Sequence, residues 1–132
     1  MNTNTRRAHR IRIIETLYQL DLGAIDVYEE SGIPFIDEVL SGILEHQADI
    51  DATISNALVS YTIKRLSFVD RAIIRLAVFE MMFTQTPSEI ILDEALELTH
   101  QYTDLGDSKS VAFNNKLLDT ILKTMKEGPS GE

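Results

Sequence analysis

Apolar residues recur along this chain at spacings of three and four, the period of a helix that buries one face. The first segment is predicted from Thr5, its N-cap, to about Leu22, with Ile11, Ile14 and Tyr18 on one side and Gly23 as its stop. Beyond a polar loop, Pro34 suits a first helical position, and Phe35, Val39, Leu40 and Ile43 pattern a helix that ends near His46. Residues Ala48 to Ser60 then carry Ile50, Ile54, Ala57 and Leu58 on one side. The break near Gln47 is weak, so these two segments can equally form one bent helix.

Ser67 followed by Asp70 has capping-box spacing with an aspartate variant, and it introduces Phe68 to Phe83, apolar on nearly every side. A helix of that kind belongs at the centre of a fold. Pro87 and Ser88 restart the chain, Leu92, Ala95, Leu96 and Leu98 pattern the next helix, and Gly106, Asp107 and Ser108 break it. The last helix is predicted from about Ser110 to Lys126, with Val111, Leu118, Ile121, Leu122 and Met125 inward and Phe113 at the solvent edge of the arc. Strict alternation is short everywhere, so no strand competes. The predicted fold is all-α, six or seven helices in two small bundles around a buried central helix.

The 132 residues, 44% of them hydrophobic, fit one domain with a core that needs no staples. Residues 1–126 are expected to form it, and 127–132, with Gly128, Pro129 and Gly131, a flexible tail. The absence of cysteine removes disulfides, thiolate zinc sites and cysteine nucleophiles, and suits a reducing cytoplasm. Ala72 to Phe83 is too short for a membrane span and holds Arg75 and Glu80.

A net charge of −9 argues against a polyanionic partner until its distribution is read. Arg6, Arg7, Arg10 and Arg12 fall in the first twelve residues with no acid among them, which leaves 8 basic against 21 acidic residues in the other 120, a balance of −13. Cations at a helix start oppose the helix dipole, so this cluster points to an external anion that offsets the cost. Tyr18 and Phe113 add candidate stacking platforms of the kind single-stranded RNA uses, and Lys109 and Lys116 add positive charge near Phe113. RNA binding at one pole follows, provided the guanidinium groups face water. The plain alternatives are a solubilising arm and core aromatics.

Catalysis has little to stand on. Walker loops, dinucleotide fingerprints and nucleophile elbows are absent from the sequence. Glu97 and His100 have the Glu-x-x-His spacing of di-metal bundles, but no second such pair occurs, and a solvated face explains them better. Arg71 and Arg75 on the central helix suit structural ion pairs, with Glu94 and Glu97 as expected partners.

In Arg6-Arg7-Ala8-His9-Arg10 with Leu17-Tyr18, in Val69 to Glu80, in Asp93-Glu94-Ala95-Leu96-Glu97-Leu98 after Pro87, and in Phe113-Asn114-Asn115 with Leu117-Leu118-Asp119, the chain resembles the NusB family of bacterial transcription antitermination factors. The resemblance covers nearly the whole chain. It implies two helical bundles set across each other, no catalysis and no cofactor. It also implies binding to boxA-type nascent RNA jointly with ribosomal protein NusE, within the RNA polymerase antitermination complex. Carried across, it assigns Arg6, Arg7, Arg10, Tyr18 and Phe113 to RNA and Asp70 to the protein partner. Departures fall at Asp93 for asparagine, at Thr99 and His100 for an Ala-Lys pair, at about three residues inserted before Gly106, and at Asn114 and Lys116 for valine and glycine. Asn114 points toward the apolar stripe, where an unpaired amide costs stability. The remaining alternative is a helical protein-interaction module that binds no RNA.

Overall fold

The computed structural model describes residues 3–59, 62–102 and 108–127. Among these residues six α-helices follow in order: α1 (Thr3–Leu22), α2 (Pro34–Glu45), α3 (Gln47–Ala57), α4 (Phe68–Phe83), α5 (Ser88–Tyr102) and α6 (Ser108–Glu127), with a 3₁₀ turn at Ile63–Arg65 before α4. No strand occurs among the described residues. Helix α4 packs against all five others, while α1 meets α2, α2 meets α3, α3 meets α6 and α6 meets α5. Side chains of α1 and α5 complete the circuit. The α1–α3 and α4–α6 halves therefore share one contiguous core that runs from Ile13 and Leu17 through Ile73 and Val78 to Leu118 and Ile121.

That encirclement explains the pattern of α4: nine consecutive residues, Ala72 to Glu80, are buried, including Arg75 and Glu80. Its start is set by Ser67, whose Oγ accepts from the Asp70 N–H at 3.0 Å. Asp70 turns its own carboxylate to Asn114 of α6. Helix α1 starts two residues earlier than predicted and buries Arg10, Ile13, Ile14 and Leu17, with Ile11 and Tyr18 at the flanks. It stops as expected at Gly23, at φ +84°, with a Schellman pair in which Ala24 N–H reaches Gln19 O and Gly23 N–H reaches Leu20 O.

Two helices, rather than one bent one, occupy residues 34–57. His46 leaves helical geometry at φ −106°, ψ 18°, and its ring stacks on Phe83 at 4.3 Å between centroids. Helix α3 ends at Ala57, earlier than predicted, and Ser60 lies outside the described residues. So do Gly106 and Asp107, whereas Ser108 already begins α6. On α5 the inner face carries Glu94 and Thr99 beside Ile91, Ala95 and Leu98, so Leu92 and Leu96 are only half-buried. The apolar pattern misplaces that face because two polar residues on it find partners inside.

Helix α2 lacks a side-chain cap at Ile33, and Asp37 compensates. Its carboxylate accepts from the Ser31 N–H and hydroxyl, both at 2.8 Å, and from the Gly32 N–H at 3.0 Å. These bonds, the Ser31 amide first, hold the Asp37 pKa below the usual carboxylate range. A lowered folded-state pKa contributes stability above the unfolded value of about 3.9, and the contribution is lost as pH falls through the folded value. Protection of the Ser31 and Gly32 amides against exchange is expected to drop below about pH 4, and Asp37→Asn is expected to lower it already at neutral pH. Unchanged protection in the variant would show that the turn holds without the carboxylate.

Gly42 marks the closest approach of α2 to α4. A Cβ there would lie 2.6 Å from Cε1 and Cζ of the buried Phe79 ring. Alanine would gain up to about 1 kcal/mol of helix propensity, but displacing a packed ring costs about 1–3 kcal/mol. Gly42→Ala is expected to lower the urea midpoint; a raised midpoint would mean that the ring does not press on this glycine.

Candidate nucleic-acid interface

Helix α1 runs antiparallel to α4, which sets Arg10 against Glu80. The Arg10 Nε and Nη2 donate to the two Glu80 oxygens, each at 2.8 Å, with side-chain exposures of 5% and 2%. Arg7 makes the same forked contact with Glu94 of α5, at 3.1 and 2.7 Å, and its side chain keeps 29% exposure. Hydrogen bonding to Glu94 raises the Arg7 pKa further above its ordinary value. The expectation that Arg10 meets RNA is therefore corrected: its position on α1 faces the core, and its charge is used there. Internal carboxylates thus offset two of the cations at the start of α1, Arg7 and Arg10.

Arg6 and Arg12 remain nearer to water. The Arg6 guanidinium sits 3.7 Å from the centroid of the Phe35 ring, in cation–π contact, and its Nη1 is buried without a hydrogen-bond partner. His9 leans on the same ring at 6.1 Å, and Arg12 is exposed near enough to Asp37 to lower its pKa.

The other expected site residues gather at the opposite end of α4. Tyr18 meets Phe68 edge-on at 6.2 Å and is half-buried. Asp70 accepts from Asn114 Nδ2 at 3.1 Å, and the neighbouring Phe113 keeps 37% exposure on α6, one turn from the exposed Lys109. Glu80 and Asp70 are ten residues apart on α4, about 15 Å of helix. The structure thus forms two groups, Arg6 with Arg7 at one end and Tyr18, Asp70, Lys109 and Phe113 at the other.

Several partners escaped the sequence. Arg75 pairs with Asp51 at 2.8 Å and with Asp21 at 3.4 Å, and Arg71 reaches Asp21 at 3.4 Å, so the expected Glu94 and Glu97 are not their partners. Asn114 is fully buried, but its amide donates to Asp70 and, at 3.3 Å, to Thr99 Oγ1; only its Oδ1 lacks a partner. The two departures at 99 and 114 meet each other. Glu97 accepts from Gln101, His100 is exposed, and no three His, Asp or Glu side chains among the described residues are placed to hold a metal ion. No described helix is long and apolar enough to cross a membrane.

A model of the NusB family matches residues 7–123. The chain belongs to the NusB family. Among its relatives, the transcription antitermination protein NusB of Elusimicrobium minutum (strain Pei191) is 36% identical, with 93% of this chain and 96% of that protein covered. T. maritima NusB superposes with a TM-score of 0.77 at 30% identity over 89% of this chain and 90% of that one. A solved complex of the antitermination factors NusB and NusE with dsRNA contains a chain of the same fold, TM-score 0.76 at 22% identity, over 92% of this chain and 98% of that one.

In this chain the Arg10 and Glu80 pair anchors α1 to α4. Truncating one partner of a buried pair strands the other charge, at a cost of about 3–5 kcal/mol, whereas replacing both by apolar residues of similar volume is often neutral. Glu80→Ala is expected to lose stability in that range by urea denaturation, and the double variant Arg10→Met with Glu80→Leu to recover most of it. A mild single variant would mean that the pair is open to water.

Proposed function

We propose that this chain is a non-catalytic transcription antitermination factor that binds boxA-type single-stranded nascent RNA together with ribosomal protein NusE, in the cytoplasm, in support of ribosomal RNA transcription. The observation that carries this is the near full-length kinship with proteins named as transcription antitermination protein NusB. In this assignment Arg6, Arg7 and Lys109 meet phosphates, Tyr18 and Phe113 offer ring faces to bases, and Asp70 meets NusE. Arg10 acts as a positioning residue that holds α1 in place. The solvent-exposed part of Phe113 supports its role, since it offers ring surface to a base.

The internal pairing of Arg7 and Arg10 specifically favours a second possibility, a helical protein-interaction module that binds no RNA. Titration of a boxA-like single strand, a scrambled strand and a duplex, with and without NusE, separates the two. The proposed function expects a preference for the boxA-like strand that NusE strengthens; NusE binding with no response to any RNA would favour the module.

Three phosphate contacts on a single strand give a log–log salt slope of about −2, at roughly −0.7 per contact. Arg6→Ala and Lys109→Ala are each expected to flatten it by about 0.7. Phe113→Ala is expected to weaken binding by about 1–3 kcal/mol with the slope retained, as for a lost stacking platform. Affinity and slope indifferent to all three substitutions would reject these assignments.

A further inference from the structure

The outward cations of this chain lie elsewhere than its arginine cluster suggests. Of its twelve basic residues, Arg7, Arg10, Arg71 and Arg75 are held in internal ion pairs, whereas all five lysines are exposed, and four of those are on α6. Lys109, Lys116 and Lys123 follow one another at intervals of seven residues, two helical turns, so they form a single ridge about 20 Å long. Phe113 and Thr120 occupy the same ridge between them.

Beside this ridge is a groove of about 440 Å³ between α6 and the end of α3, lined by Leu58, Val59, Phe113, Lys116, Leu117 and Thr120. It adjoins a second hollow of about 640 Å³ that shares Ala57, Val59 and Thr120. Among the described residues lining either one, none carries a carboxylate. In a chain of net charge −9 that is a local inversion of the surface. The Thr120 hydroxyl donates to the Lys116 carbonyl at 2.9 Å, which leaves its lone pairs to accept from a ligand. Lys123 shares Asp119 at 3.2 Å, but both are exposed, and such a pair is worth little against a phosphate. Lys116 also stands where the family pattern has glycine.

We infer that this groove extends the RNA seat beyond the boxA-type element, with Lys109 and Phe113 at the boxA end, phosphates of flanking nucleotides along Lys116 and Lys123, and a flanking base in the slot beside Val59 and Thr120. A charged ridge beside an aromatic and apolar slot is the arrangement that holds single strands with little sequence preference. The inference rests on the RNA-binding function proposed above and extends it: the seat takes nucleotides that flank the boxA-type element.

Salt titrations of the full chain with NusE would use the boxA-like strand alone and the same strand lengthened by six uridines at either end. Wild type is expected to bind one lengthened strand more tightly than the core strand. Lys116→Ala with Lys123→Ala is expected to remove that gain, about fivefold per lysine at roughly 0.1 M salt, and to flatten the slope by about 1.4. Val59→Asp, at a position 98% exposed and so harmless to folding, is expected to remove it as well while the core strand binds as before. A gain that survives these substitutions overturns the seat, as does equal binding of core and lengthened strands by wild type. Substitutions that weaken NusE binding without touching the RNA gain also overturn it and make the groove a protein surface. Wild type that binds no RNA at all sinks the antitermination function along with the groove.

Discussion

Burial of α4 on every side is the constraint from which the rest of this molecule follows. A helix enclosed by five others has no face on which to leave a charge, yet α4 carries Arg75 and Glu80 within its buried run. An unpaired charge in such a place is far costlier than any single contact the fold makes. Each must meet an opposite charge, and the neighbours supply them: Asp51 and Asp21 for Arg75, Arg10 for Glu80. These pairs fix the rotation of α1 and α3 about α4, because a helix turned by one residue would carry its partner out of reach.

The arginine-rich start of α1 looks different in that light. Its role is divided by helical geometry: position 10 faces α4, position 7 faces α5, position 6 lies on Phe35, and position 12 meets water. Arginine suits the inner positions because its planar fork satisfies a carboxylate with two parallel bonds and is weakly hydrated. Lysine, a strongly hydrated point charge on a flexible stem, suits the outer ones, and the exposed positions of α6 hold it. Residue type thus sorts the cations of this chain into structural and surface sets more faithfully than their density along the sequence does.

Helix identity, the central place of α4, the Ser67 cap and the Gly23 stop were all legible in the sequence, because each depends on local geometry and apolar period alone. The exposed edge position of Phe113 was legible for the same reason. The burial of Arg10 was not. Charge run and helix start pointed outward, and only the separation of Glu80 by seventy residues, closed by the fold, turns that side chain inward. Likewise the sequence paired Glu94 with the arginines of α4 and left Thr99 without a role, whereas the fold sets them against Arg7 and Asn114 across helices. Periodicity reports which face is apolar; it does not report which polar residues the tertiary structure satisfies.

Asn114 shows how far that satisfaction can carry a sequence from its family. An amide in place of a buried valine would by itself leave unpaired groups in the core, at a cost of about 1–3 kcal/mol each. Here Thr99 stands in place of alanine and its hydroxyl accepts one amide hydrogen, while Asp70 accepts another. The Thr99 hydroxyl gives its own proton to the Ala95 carbonyl at 2.7 Å, which leaves it an acceptor toward Asn114 and fixes the direction of the chain of bonds. Two changes that would each weaken an apolar contact therefore make one polar contact together. The Asn114 bond to Asp70 in turn joins the first turn of α4 to the second turn of α6, where Phe113 sits, so the residue assigned to the protein partner and the ring assigned to RNA are held in register by a single side chain between them.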